Sequence, residues 1–196
     1  MEGTRTLVEA INFACIKHKD QRRKDASATP YINHPVGVCH ILMIEAGVQD
    51  TDVLAAAILH DTLEDTETSE GELSQVFGPA ILKLVLEVTD DKSLTKDERK
   101  KRQISHAKEI SDGGKLVKMA DKLYNLRDLK RCVPDGWDLE RVQQYFRWAR
   151  MVVAGCKGVN SYLDQQLDLM TDPVKSQITF QGKNYPCFID STPTYC

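Results

Sequence analysis

The chain has no apolar run approaching the roughly 18 residues that cross a bilayer, and its start, MEGTRTLVEA, lacks the basic-then-apolar layout of a secretory signal. Both absences point to a soluble, cytoplasmic protein with no membrane partner. The cysteines Cys15, Cys39, Cys132, Cys156, Cys187 and Cys196 contain no C-x-x-C pair, so neither a cysteine zinc cage nor a disulfide framework is indicated and free thiols are expected. An excess of positive charge is missing as well. A formal net charge of -3 argues against a nucleic-acid partner, while local basic clusters remain able to hold a small polyanion. Internal repeats and low-complexity linkers are also absent. With 196 residues, 41% of them hydrophobic, the chain has enough apolar surface for one sizeable core.

What is present is helical periodicity from the start to about residue 170, so the expected fold class is all-α. Leu7, Val8, Ile11, Ala14 and Cys15 recur at spacings of three and four and predict a first helix over about 4–18, followed by the polar, basic loop KDQRRKDASATP. Pro35 suits the first position of a second helix that Gly47 ends. A third helix is expected from Asp50 or Thr51 through LHDTLED. Ser69 with Glu72, and Thr95 with Glu98, have capping-box spacing. The stretch AILKLVLEVT at 80–89 has strand-like composition but helical neighbours, and is read as helix. Residues 114–131 form an amphipathic helix, and the segment from Asp138 to about Met170 is one helix or a pair interrupted near Gly155 and Gly158. After Thr171 β-formers mix with Gly, Pro and Asn, which predicts a short hairpin or a disordered tail. The expected organisation is therefore a helical bundle over 1–170 and a divergent tail over 171–196.

Chemistry gathers in three places. In LHDTLEDT, residues three and four apart share a helix face, so His60, Asp61, Glu64 and Asp65 form one polar stripe emerging from the apolar run DVLAAAIL. Asp121, Asn125 and Asp128 form a second stripe within an otherwise apolar helix, where a buried carboxylate needs a cation or several donors. His34, in YINHPV, precedes the proline of the second helix. Together His34, His60, Asp61 and Asp121 offer two imidazoles and two carboxylates, a donor set that suits Mn, Fe or Zn.

A single His, then an adjacent His-Asp pair, then an Asp on successive helices resembles the HD superfamily of metal-dependent phosphohydrolases. The ordered motifs QRRK, PYINHP, ILHDTLEDT, KMADKLYNLRDL and RVQQYFRWARMVV resemble the RelA/SpoT hydrolase domain, and within it the small stand-alone animal forms, over about residues 3–170. The resemblance implies an HD-domain helical bundle that removes the 3′-pyrophosphate of the nucleotides ppGpp and pppGpp with one Mn(II) ion, Fe or Zn being compatible alternatives. It further implies that His34, His60, Asp61 and Asp121 hold the metal and that Glu64 and Asp65 are the catalytic acids. Arg23, Lys24, Asn125, Lys96, Arg141 and Tyr145 then contact the substrate. NADPH, through its 2′-phosphate, is a second candidate substrate. No synthetase region is expected in this length of chain, so the expected direction is degradation.

Two departures from the family pattern, KDQ and ATPY in place of the usual glycine-containing forms, fall in the basic loop and bear on substrate preference. Two other readings stay open: a different HD phosphohydrolase of the 5′-nucleotidase type, and a non-catalytic nucleotide sensor. The sequence assigns no oligomeric state. His18, His40 and His106 are read as structural or surface residues.

Overall fold

The most apolar stretch of the chain lies at the centre of the molecule. Helix α3 (Thr51–Leu59) is buried at every residue from Val53 to Leu59. Its start is fixed by Asp50, whose carboxylate accepts the N–H groups of Asp52 and Val53 at 2.9 and 3.4 Å, satisfying donors that a helix N-terminus leaves open. The computed structural model describes residues 2–187; Cys196 and the end of the tail lie outside them.

Around α3 pack α1 (Glu2–Lys17), α2 (Asn33–His40), α5 (Glu70–Val88) and α7 (Asp112–Arg131). The short α4 (Thr62–Asp65) leads from α3 towards α5, and α6 (Lys96–His106) joins α5 to α7. Helices α8 (Leu139–Ala154) and α9 (Ser161–Met170) cover α7 from the outside. Apart from a small antiparallel hairpin, β1 (Gln177–Phe180) with β2 (Lys183–Pro186), the regular structure among the described residues is helical. The hairpin is anchored by buried Ile178 and by Gln143 Nε2, which donates to the Pro186 carbonyl at 3.0 Å.

Helix α7 carries little one-sided apolar patterning because it is covered nearly all round. Met119, Ala120, Leu123 and Leu126 enter the core, and Lys118 and Lys122 are buried as well. Where α2 meets α7 the Tyr124 ring lies directly against Gly37, and a Cβ there would overlap the ring, so glycine is required.

Most helix expectations agree with the structure. Residues 80–88 are helical as the second part of α5, kinked at Gly78 and Pro79, and the Asp138–Met170 segment is a pair with its break at residues 155–160. Thr95 and Glu98 form the full reciprocal capping box. Gly47, at φ 70°, follows the second helix as expected, after a π-helical turn over Ile41–Glu45.

Three local expectations are corrected. Pro35 stands third and not first in α2, because the Asn33 and His34 N–H groups already bond back to the Pro30 and Tyr31 carbonyls. Ser69 caps α5 through the Glu72 N–H, but the Glu72 carboxylate pairs with Lys17 at 2.8 Å instead of closing the box. Finally, the third helix does not run through LHDTLED. The His60 ring donates through Nδ1 to the Ala57 carbonyl at 2.8 Å and Thr62 Oγ1 donates to the Leu59 carbonyl at 2.6 Å, so two side chains take carbonyls at the helix end and α3 stops at Leu59.

Candidate metal centre and active site

That break places the His-Asp pair between two helices, with His60 closing α3 and Asp61 opening α4. His34 comes from the start of α2 and Asp121 from the middle of α7, and donor atoms of His34, His60 and Asp121 all lie within 4.8 Å of one another. Asp61 Oδ2 stands 3.1 Å from His60 Nε2 and 3.4 Å from His34 Nε2; Asp121 Oδ1 is 3.3 Å from His34 Nε2. The four residues named from sequence as a ligand set therefore line one cavity of about 210 Å³.

The chemistry of this donor set fits a divalent cation. The bond from His60 Nδ1–H to Ala57 leaves the Nε2 lone pair aimed at two carboxylates, and Nε2 is buried with no hydrogen-bond partner. Burial alone would lower the His60 pKa, yet the facing Asp61 and Asp121 carboxylates raise it to about 9. Burial disfavours ionised Asp61, but the two imidazoles hold its carboxyl well below the usual range. At Asp121 burial is likewise outweighed, by Lys122, His34 and His60, and the carboxyl is again lowered. The site thus demands positive charge between its imidazoles and carboxylates, which a bound cation supplies without a proton.

Neighbouring side chains, two of them, Tyr31 and Lys122, outside the sequence-derived set, fix these donors. Tyr31 donates its hydroxyl to Asp61 Oδ2 at 2.6 Å, Lys122 donates to Asp121 Oδ2 at 2.7 Å, and Asn125 Nδ2 donates to Asp121 Oδ1 at 2.6 Å. The other end of the Asn125 amide accepts from Arg23 Nη2 at 2.9 Å, and the same nitrogen donates to Asp128 at 2.8 Å. Arg23 lies over the rings of Tyr31 and Tyr124, so the basic loop is locked onto α7.

The acidic pair does not stay stacked. Glu64 and Asp65 both line the metal cavity but are held by different partners. Glu64 Oε2 accepts the Asp90 N–H at 3.2 Å, and burial, reinforced by the nearby Asp90 carboxylate, pushes its pKa up to about 7. Asp65 accepts from Gln21 Nε2 at 3.2 Å and pairs with Lys92 at 3.3 Å. Gln21 is held in turn by the ring Nδ1 of His18, 2.6 Å from its Oε1, so this buried histidine braces the loop that reaches Asp65.

Two larger cavities flank the centre. One, of about 480 Å³, is lined by Arg23, Lys24, Asp65, Asn125, Trp137 and Tyr145 among others; the second, of about 580 Å³, includes Glu64, Lys96, Lys100, Arg141, Tyr145 and Trp148. All twelve sequence-derived residues are thus brought together, with Tyr145 on the wall between the outer cavities. Arg141 lies 4.3 Å from the Trp137 ring centroid. Tyr31, Lys122, Asp90 and Lys118 line or brace the centre without having been singled out. The spacing of Lys118, Asp121, Lys122 and Asn125, three, four and seven along α7, was the signal that could have found the lysines.

This arrangement defines a class. The family described as HD domain matches residues 10–145. A MESH1 protein of Xenopus tropicalis, a guanosine-3′,5′-bis(diphosphate) 3′-pyrophosphohydrolase, is 58% identical over 164 residues, spanning 84% of this chain and 92% of its own length. The human MESH1 protein is 57% identical over 161 residues, spanning 82% and 90%. A solved structure of a metazoan SpoT ortholog that hydrolyzes ppGpp superposes with a TM-score of 0.83 at 48% identity, over 85% of this chain and 94% of the other. The chain belongs to the HD-domain family, in the group of the MESH1 proteins.

Proposed function

We propose that the chain hydrolyses the 3′-pyrophosphate of ppGpp and pppGpp to give GDP or GTP and pyrophosphate, using one Mn(II) ion held by His34, His60, Asp61 and Asp121. The observation that carries the reading is the His60 ring, fixed by Ala57 so that an unpartnered Nε2 faces Asp61 and Asp121 beside two cavities that carry the basic residues. The names of the 54–58% identical relatives support the same substrate. When bound, the cation supplies Lewis-acid polarisation of the attacked phosphoryl group.

The chain's own residues do the rest. Glu64, with Oε2 engaged by the Asp90 N–H and a pKa raised to about 7, takes a proton from the attacking water near neutral pH. Asp65, positioned by Gln21 and Lys92, orients the water or returns a proton to the leaving oxygen. Arg23 and Lys24 face the substrate from the first outer cavity, while Lys96, Arg141 and Tyr145 do so from the second. Asn125 holds the near end of the substrate beside Asp121.

A 2′-phosphatase activity on NADPH is the second reading, favoured by two cavities of about 480 and 580 Å³, with Trp137 and Tyr145 in both linings, that give room for a dinucleotide. The deciding experiment gives Mn-loaded protein ppGpp and NADPH side by side and follows pyrophosphate and phosphate release. Fully metal-loaded protein that turns over neither sinks both readings and leaves a nucleotide sensor or another HD phosphohydrolase.

A further inference from the structure

Among the described residues, one buried basic side chain in the metal cavity has no hydrogen-bond or ion-pair partner. Lys118, on the α7 face that carries Asp121 and Lys122, is only 6% exposed and lines the 210 Å³ cavity, but neither of the two outer ones. Its neighbours are already committed. Asp121 Oδ1 accepts from Asn125 and Oδ2 from Lys122, and Asp90 Oδ2 accepts from Gln103 Nε2 at 2.7 Å. Among the described residues Lys118 donates no hydrogen bond and makes no ion pair; burial and the neighbouring Lys122 ammonium lower its pKa, while Asp121 and Asp90 act in the opposite sense at longer range. A lysine this buried has lost most of its hydration, and one that lines the metal cavity without a hydrogen-bond partner keeps three donors for an anion that enters.

The other basic side chains of this cavity are spoken for: Lys122 is paired with Asp121 and Arg23 with Asp128. Among the described residues Lys118 is the basic side chain of the cavity that makes no ion pair. We propose that Lys118 is a phosphate-contacting residue at the floor of the metal cavity, donating to oxygens of the phosphoryl group under attack while the outer cations hold the rest of the substrate. The identity of that phosphoryl group rests on the hydrolase reading above; the contact itself needs only a phosphate or pyrophosphate oxygen.

The test compares Mn-loaded wild type with Lys118→Met and Lys118→Gln, titrating inorganic pyrophosphate by thermal shift and by inhibition of ppGpp turnover. Both variants are expected to fold and retain full metal, to bind pyrophosphate about 10- to 100-fold more weakly, and to lose kcat/KM for ppGpp by a similar factor. Pyrophosphate affinity unchanged in folded, metal-loaded Lys118→Met overturns the proposal. So does loss of fold or metal in both variants, which would make Lys118 a structural residue. If wild type fails to cut ppGpp but pyrophosphate still separates it from Lys118→Met, the hydrolase reading falls and the contact stands.

Discussion

The floor and the rim of the site are built on opposite plans. At the floor, His34, His60, Asp61 and Asp121 are buried or nearly so, and each carboxylate is held by a fixed donor, Asp61 by Tyr31 from the segment before α2 and Asp121 by Lys122 and Asn125 of its own helix. At the rim, Lys24, Lys96 and Arg141 are exposed and stand on three separate segments. Rim cations even repel one another: burial lowers the Lys96 pKa, and Arg141, Lys100 and Lys24 lower it further. The contrast teaches where each property resides. Geometry that must be exact for bond breaking is fixed by packing before any ligand arrives, whereas recognition is left to solvated side chains that a polyanion gathers.

Substitutions can break that contrast. Asp61→Ala, at the floor, is expected to remove bound metal and activity together, with a loss of about 1,000-fold or more in kcat/KM. Metal analysis beside turnover checks this, and retained metal would overturn the ligand assignment. Glu64→Gln, beside the floor but outside the ligand set, should keep metal and lose about 100- to 10,000-fold in kcat. An equal loss of metal would merge Glu64 with the ligands.

At the rim, Lys96→Ala and Arg141→Ala should each weaken ppGpp binding by about 10-fold, mostly in KM, and make it less salt-dependent, with melting temperature nearly unchanged. A fall in kcat alone would mean that the rim shapes the reaction and not only capture.

The smallest expected effect is on stability. Glu64 has a folded pKa of about 7 against an ordinary 4.5, so between those values the native state binds a proton that the unfolded chain does not. Stability therefore falls as pH rises through this window. In metal-free protein, Glu64→Gln should gain about 1–3 kcal/mol relative to wild type at pH 8 and little at pH 4.5, by urea unfolding. A wild-type-to-variant difference that is flat with pH would show that Glu64 is not desolvated in solution.

Much of the floor was legible because its chemistry-bearing residues sit in short motifs and its helices announce their own starts. Asp50 and Thr95 cap as their sequence contexts predict, and the order of His34, the His60-Asp61 pair and Asp121 carried the candidate site. The break after Leu59 was not legible, since it depends on whether His60 and Thr62 spend their side chains on carbonyls at the helix end, a competition that periodicity does not register. Nor were the Asp61–Tyr31 and Glu64–Asp90 contacts, which join residues 30 and 26 positions apart on different elements. The buried lysines of α7 were overlooked for another reason: lysine is rarely internal, so a stripe of Lys118 and Lys122 beside Asp121 resembles an ordinary solvated face until the fold closes over it.

Asn125 gives the boundary between floor and rim a direction. Its oxygen faces the Arg23 guanidinium and its nitrogen faces the Asp121 carboxylate, so turning the amide over would set donor against donor and acceptor against acceptor. An aspartate has nearly the same outline, yet it would place an anion against Asp121 in place of a donor. The position therefore discriminates by the order of atoms within an outline and not by the size of that outline. Two side chains that differ by the exchange of one NH₂ for one oxygen would be, to this protein, an unlike pair.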